Sequence, residues 1–373
     1  MIRRAVRLAA VTARGIAATV AIARLVRVIR AAPPLSAAMW TTEPTGTISV
    51  VVPARDEEGR LGRCLERVVD APHVVEVIVV DDESTDASAE VARGCGATVV
   101  TGGKLPAGWA GKCWALQQGI EAASGEWVVT LDADTVPDAQ LPAAAVARAE
   151  ADGWDLLTLA PRLECPTRPL QLLHPALLTT LVYRFGPPGV GATKPSRTMA
   201  NGQCQIVRRV PFLAGGGFTP VRHHLIEDVA LARHLAAQGA RVGFLDATDV
   251  LTVRMHDSAG MAWREWARSL ALSEVTPPIA LAGDVAVVAL AQALPLVRVL
   301  ARRADRLDWA LIAARAGTLI GMRRAYVGPG AAYWLSPLAD VAAVMRLVLS
   351  ALSPPRTWRG RTYQRGLGRT AAR

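Results

Sequence analysis

Four short runs of β-branched and aliphatic residues constrain this chain more than anything else in it. Ile48–Val52, Val77–Val80, Thr98–Val100 and Val128–Leu131 are almost continuously apolar, as strands buried on both faces of a parallel sheet must be. Between them, Glu57–Val69, Ala87–Gly94 and Gly111–Ala123 have helical length and period. Strand and helix alternating at this spacing predict an α/β fold with a doubly wound, mixed but mainly parallel sheet. The ligand crevice of such a sheet lies beyond the carboxyl ends of its strands.

Three of these strands run directly into carboxylates. The first leads to Pro53-Ala54-Arg55-Asp56-Glu57-Glu58, the second to Asp81-Asp82-Glu83-Ser84-Thr85-Asp86, and the fourth to Asp132-Ala133-Asp134. One acidic turn after a strand is a helix cap. Three at one sheet edge need a cation or hydrogen-bond donors to offset their repulsion. Asp132 and Asp134, two residues apart as the chain leaves a strand, can face one hard cation. Carboxylate oxygens suit Mg²⁺ or Mn²⁺, which also bind substrate phosphates.

No glycine-rich phosphate loop competes with this arrangement, since no G-x-G-x-x-G follows a strand and Gly111-Lys112 continues into Cys113. Phosphate would therefore be met by the metal and by cations such as Lys112 or Arg254. Lysine is scarce, with only Lys104, Lys112 and Lys194 among 42 basic residues. Glu227-Asp228 opens a helical stretch, where acids complement the helix dipole and are also placed to act as a general base. His223 and His224 lack a second cluster at ligand spacing, so no zinc site is indicated.

The ends of the chain have a different character. Hydrophobic residues make up 51%, charged residues 20%, and mean hydropathy is +0.25, which excludes a disordered chain and an ordinary soluble enzyme. The net charge of +10 comes from thirteen arginines at the ends, seven within residues 1–30 and six within 353–373, with no acid in either segment. The remainder is slightly acidic, which excludes a nucleic-acid groove running through the body. Basic ends beside apolar stretches fit an anionic membrane face. Ile279–Val297 is the best spanning segment, Leu307–Met322 is short, and Ala331–Leu352 is long but interrupted. Leu8–Ala23 is apolar around Arg14, consistent with an anchor that either spans or lies flat. Two crossings and one interfacial helix would keep both ends of this region cytoplasmic. Five scattered cysteines with no C-x-x-C pair fit a reducing compartment. The expected organisation is an anchor helix and linker over 1–45, a catalytic domain over 46–275, transmembrane or interfacial helices over 276–352, and a basic cytoplasmic tail over 353–373.

The three acidic strand ends together with Glu227-Asp228 resemble the family 2 glycosyltransferases of the GT-A fold. Pro106–Ala115 (PAGWAGKCWA), Asn201-Gly202-Gln203, Glu227–Ala232 and Trp358–Tyr363 (WRGRTY) are similar to the hopanoid-associated and carotenoid branch of that family. The resemblance implies that Pro53, Arg55, Glu57, Asp81 and Asp82 hold the nucleoside of a nucleotide-sugar donor, with UDP favoured. It implies that Asp132 contacts ribose or a metal-bound water, that Asp134 with Asp132 binds Mg²⁺ or Mn²⁺, and that Asp228, or else Glu227, is the catalytic base. Lys112 and Arg254 would meet the donor, and Trp109, Trp114 and Trp266 would line the acceptor side. The processive Q-x-x-R-W pattern is replaced by Ala262-Trp263-Arg264-Glu265-Trp266, which argues against polymer synthesis. The implied enzyme lies in the cell membrane, faces the cytoplasm, and transfers one sugar with inversion to a hopanoid or carotenoid. Alternative acceptors are a polyprenyl phosphate or a glycerolipid; a reading of another class is a silent GT-A membrane scaffold.

Overall fold

The computed structural model describes residues 2–36 and 43–353, together with the backbone of 357–358 and 361–362. The rest of the expected basic tail, including part of Trp358–Tyr363, lies outside the described residues. The chain divides into two compact units. One joins residues 32–162, 191–254 and the tail; the other joins residues 1–31, 163–190 and 255–355.

The first unit is built on a seven-stranded sheet. In chain order the strands are β1 (Ile48–Ala54), β2 (Val74–Asp81), β3 (Thr98–Thr101), β4 (Trp127–Leu131), β5 (Thr135–Pro137), β6 (Leu156–Ala160), β7 (Arg162–Leu163), β8 (Cys204–Arg208), β9 (Val242–Asp246) and β10 (Leu251–Val253), of which β5, β10 and β7 form a separate three-stranded sheet. The large sheet runs β3-β2-β1-β4-β8-β6-β9. It is parallel throughout except for β8, which pairs antiparallel with both β4 and β6. The four strands expected from the β-branched runs form, each with ends extended by a few residues. β1 is buried at every position but Pro53, and β4 is buried at all five.

The reversed direction of β8 brings a further segment to the ligand edge of the sheet. Leu131, the last residue of β4, pairs with Cys204, the first of β8. The segment entering β8 therefore lies at the same edge as the carboxyl ends of β1, β2 and β4. Helix Gly111–Ala122 covers the sheet closely at Gly119, where a Cβ would collide with Val51 Cγ1. The expected helix over Glu57–Val69 shrinks to Leu61–Leu65. At its start the Glu57 and Glu58 backbone N–H groups donate to Ser88 Oγ and Asp86 Oδ2, 31 and 28 positions away, so that end of the segment is held as a loop.

The second unit is helical, and it takes in segments expected to belong to a continuous 46–275 domain. Helix Arg168–Phe185 contacts the helices Ile2–Val26, Ala259–Ser269, Pro278–Val288, Ala331–Trp334 and Asp340–Leu352. It buries residues all round, from Leu170 to Phe185, with no polar face left for water. The segment Ala331–Leu352 is broken by a tight turn at Ser336–Ala339, leaving a helix of 13 residues over Asp340–Leu352. At 1.5 Å per residue that is about 20 Å, short of the roughly 30 Å hydrocarbon core of a bilayer. Among the described residues, two helices are long and apolar enough to cross a membrane, Arg4–Arg30 and Pro278–Leu300.

The charges that interrupted the apolar segments are paired with one another. Arg14 donates to Asp305 at 2.8 Å and to Asp308 at 2.6 Å, and Arg298 reaches the same two carboxylates. Asp284 lies 3.2 Å from Arg24 and 3.7 Å from Arg184. Arg315 holds Asp340 in a fork at 2.9 and 3.0 Å, with Ser336 and Gln292 completing the cluster. Because Arg315 and Asp340 are both buried, Arg315→Met should destabilise the full chain by about 3–5 kcal/mol by stranding a charge. Arg315→Met with Asp340→Leu should recover most of that loss, as read by thermal unfolding in detergent.

Candidate active site

The carboxyl ends of β1 and β2 are joined by a zipper of short polar contacts. Asp82 N–H donates to the Ala54 carbonyl at 2.8 Å, and Arg55 Nη1 donates to the Asp82 carbonyl at 2.7 Å. The same guanidinium lies 3.9 Å from Asp82 Oδ2 and 3.7 Å from Glu83 Oε2. Each loop contains one residue in the left-handed region, Asp56 at φ 53° and Glu83 at φ 57°. Asp56 is held there by Thr85, whose N–H and hydroxyl both donate to its Oδ1. Asp56, Glu58 and Asp86 accept hydrogen bonds from neighbouring loop groups, and Asp81 accepts from Ser84 N–H. Much of the acidic clustering seen in the sequence therefore builds loops. Buried Asp82 and Glu57, with Arg55, form the chemically distinctive part of this corner.

The second half of the site forms where β4 ends. Asp132 N–H donates to the Gln203 carbonyl, and the Asp132 carbonyl accepts from the Thr135 hydroxyl at 2.7 Å. These bonds fix both ends of the Asp-x-Asp turn. Beneath it, Cys64 Sγ sits 3.6 Å from Thr135 Oγ1. Burial pushes the Cys64 thiol up to about 12, so it stays neutral and adds no charge. Asp134 Oδ1 is buried and has no hydrogen-bond partner among the described residues. Burial first, then the charges of Asp132 and Glu57, raise its carboxyl to about 7, with Lys112 and Arg60 opposing. A carboxylate so placed is under-compensated for positive charge.

Lys112, second residue of its helix, reaches across the site. Its Nζ lies 2.7 Å from Asp132 Oδ1, 2.9 Å from Glu227 Oε1 and 3.3 Å from the Gly202 carbonyl. Burial works against its charge, but Asp132 and Glu227 outweigh it and hold the ammonium well above its usual range. An ammonium has three donors, and here three protein oxygens surround it. Gly202 N–H in turn donates to Asp228 Oδ2 at 2.9 Å, while Val229 N–H donates to Asp228 Oδ1 at 2.8 Å. Burial and the neighbouring Glu227 raise Asp228 to about 6; Lys112 and those two N–H groups pull the other way.

Residue 202 has no room for a side chain. A Cβ there would lie 2.9 Å from Glu227 Oε1, 3.1 Å from Lys112 Nζ and 3.3 Å from Asp228 Cβ. Asn201 and Gln203 brace the glycine by bonding each other, Gln203 N–H to Asn201 Oδ1 and Asn201 Nδ2 to Gln203 Oε1. Sequence reasoning picked out this tripeptide without giving it a place in the site. The signal was a glycine between two amide side chains at the entry to an antiparallel strand.

The remaining expected residues fall at different places. Arg254 follows β10, whose Val253 pairs with Thr135 of β5, so it stands one residue beyond that pair, level with the Asp-x-Asp turn. Pro53 is the half-buried residue of β1. Trp109 and Trp114 pack edge to face at 5.2 Å, with Trp114 Nε1 donating to the Gly103 carbonyl. Trp266 belongs to the helical unit, buried against His174 with ring centroids 5.2 Å apart. Among the described residues, no three His, Cys, Asp or Glu side chains form a metal cage by themselves. Asp134 and Asp132 nevertheless fit a hard cation that completes its shell with water and phosphate oxygens, because Asp134 carries the orphaned buried oxygen.

Residues 49–212 match the model of glycosyl transferase family 2. A 4,4'-diaponeurosporenoate glycosyltransferase of Staphylococcus aureus (strain USA300) is 27% identical over 242 residues, 60% of each chain. The same enzyme from the bovine strain RF122 / ET3-1 is 40% identical over 93 residues, 24% of each chain. The chain thus matches about 60% of the length of the USA300 relative. In structure, the chain is similar to the mannosyltransferase PcManGT from Pyrobaculum calidifontis, solved in complex with GDP-Man and Mn²⁺. The TM-score is 0.55 at 19% identity, over 94% of this chain and 98% of that one, a likeness of fold. The mainly parallel sheet with one reversed strand, the acidic ends of β1, β2 and β4, and the matched segment lead to one conclusion: the chain carries a family 2 glycosyltransferase domain of the GT-A fold.

Proposed function

We propose that this chain is a membrane-bound inverting glycosyltransferase. It moves a sugar from a nucleotide-diphosphate sugar, a UDP-sugar in the first instance, to the hydroxyl or carboxyl of an isoprenoid-type lipid, a carotenoid or hopanoid. The observation that carries this reading is the meeting of the Asp-x-Asp turn and the Glu227-Asp228 helix start around Lys112. Those are the two acidic groups that glycosyl transfer needs, one at the leaving diphosphate and one at the incoming nucleophile.

The roles follow from the surroundings. Arg55, Glu57 and Asp82 form the nucleoside corner. Asp134, with Asp132 beside it, would hold Mg²⁺ or Mn²⁺, which when bound supplies the charge neutralisation that makes a nucleotide diphosphate a good leaving group. Asp228 accepts the proton of an acceptor hydroxyl as the oxygen attacks the anomeric carbon and the bond to the diphosphate breaks. A carboxyl acceptor arrives ionised and asks only for orientation. No second nucleophile stands ready among the described residues to form a glycosyl-enzyme, so a single displacement inverts the anomeric centre.

The lipid acceptor is supported by the helical unit and by the names of the curated relatives. Among the described residues, every exposed large hydrophobic side chain except Val75 and Val210 belongs to that unit. Ile29, Ile279, Leu300 and Leu352 are each more than 70% exposed, an arrangement suited to lipid rather than water. The arginine-rich ends favour the cytoplasmic side of the cell membrane for the sheet unit.

The test is the full-length chain in bilayer nanodiscs with carotenoid- and hopanoid-containing lipid, nucleotide sugars and Mn²⁺. The expected product is a new glycolipid by mass spectrometry, lost on chelation. Asp228→Asn should lower transfer to a hydroxyl acceptor by roughly 10²–10⁴-fold, the range for a positioned general base, and Asp134→Asn should abolish metal-dependent transfer; turnover by both variants at the wild-type rate would sink the assignment. Because Asp228 acts only when deprotonated, and burial with Glu227 raises it to about 6, the rate should rise with pH through about 6 with a one-proton slope, then level off. Gly202→Ala, which forces Lys112 and Glu227 apart, should reduce kcat while circular dichroism shows the fold intact.

A further inference from the structure

We infer that Lys112 is a positioning residue, the fixed internal cation that ties the Asp-x-Asp side of the site to the Glu227-Asp228 side. This rests on the glycosyltransferase reading for its consequence, but its physical basis stands apart from it. Four segments remote in sequence meet on one nitrogen: the helix Gly111–Ala122 that carries Lys112, the turn after β4, the entry to β8, and the start of helix Glu227–Ala237. Asp132 Oδ1, Glu227 Oε1 and the Gly202 carbonyl lie 2.7, 2.9 and 3.3 Å from Nζ, and the glycine at 202 is what lets the third oxygen approach.

The clamp sorts four carboxylates into two kinds. Asp132 and Glu227 are bonded to the ammonium. Asp134 keeps an orphaned buried oxygen, and Asp228 is oriented by backbone N–H groups rather than by a cation. The first pair is thereby fixed in place, Asp132 beside the Asp134 that would hold the metal and Glu227 beside the Asp228 that would take the acceptor proton. Lys112 does this without touching the reacting atoms. Its loss should therefore act on the rate of the chemical step more than on donor affinity.

Three full-length variants test it: Lys112→Met, Glu227→Gln and the two combined. Lys112→Met should lower kcat by about a hundredfold, the scale for losing one fixed electrostatic group, with donor KM and Mn²⁺–UDP affinity by calorimetry close to wild type. It should also lower Tm, because buried Glu227 and half-buried Asp132 lose their cation. The double variant removes one of those stranded charges, so it should regain Tm and about tenfold in kcat over Lys112→Met. Two results would overturn the proposal. One is a raised KM with unchanged kcat, which makes Lys112 a direct donor ligand; the other is a double variant no better than Lys112→Met in both Tm and kcat. If the wild-type chain transfers no sugar, the proposed function fails, and the Tm comparison alone still decides the clamp.

Discussion

An ammonium held between two carboxylates is what allows so much negative charge to collect at the end of this sheet. Asp132, Asp134, Glu227 and Asp228 come from two widely separated segments, and Glu57 adds its field to theirs. Mutual repulsion among buried carboxylates would otherwise push them apart or leave them protonated. Lys112 offsets part of that repulsion from inside, and Gly202 offsets more through its backbone, with its carbonyl turned to the lysine and its N–H to Asp228. What remains uncompensated is concentrated on Asp134. The architecture thus creates a demand for one further cation at a defined place, at the turn where a diphosphate would be met.

The helical unit solves a related problem in an apolar setting. Arginines and aspartates along its helices would each be costly if buried alone. They are instead matched, Arg14 and Arg298 with Asp305 and Asp308, Arg24 and Arg184 with Asp284, Arg315 with Asp340. Asp305 and Asp308 also form the capping box of helix Arg306–Met322, so one cluster both starts a helix and neutralises its neighbours. The exposed large apolar side chains of this unit include Leu8, Ile16, Ile279, Leu300 and Ile320.

Local and distant causes of structure left different marks in the sequence. The strands were legible because burial on both faces leaves a local mark, a run of β-branched residues whose identity does not depend on distant partners. The acidic strand ends were legible for the same reason, since topology alone brings them to one edge. The helix expected at Glu57–Val69 was not, because the Glu57 and Glu58 N–H groups are claimed by Ser88 and Asp86, about 30 residues along the chain. Arg14 read as a flaw in an apolar segment, and its partner Asp305 is 291 positions away. Helix Arg168–Phe185 read as part of the sheet domain, because a helix buried all round carries no periodic signal of which neighbours bury it. The carboxylates that hold Lys112 were not legible either, since nothing within its own helix reveals Asp132 and Glu227.

Residues of the same chemistry are given different work here by what lies around them. Asp132 and Asp134 are two positions apart, yet one meets a cation already built into the protein and the other keeps a buried oxygen with no hydrogen-bond partner among the described residues. Glu227 and Asp228 are adjacent, yet one faces that same ammonium and the other two backbone N–H groups. A carboxylate bonded to a cation is a poor proton acceptor, whereas one raised to about 6 by burial and a like charge is matched to work near neutral pH. Function in such a site is assigned less by which acids are present than by which of them the single lysine leaves uncompensated. A glycine takes part in that choice, because residue 202 turns its carbonyl to Lys112 and its N–H to Asp228 where a Cβ would crowd Glu227 and Lys112.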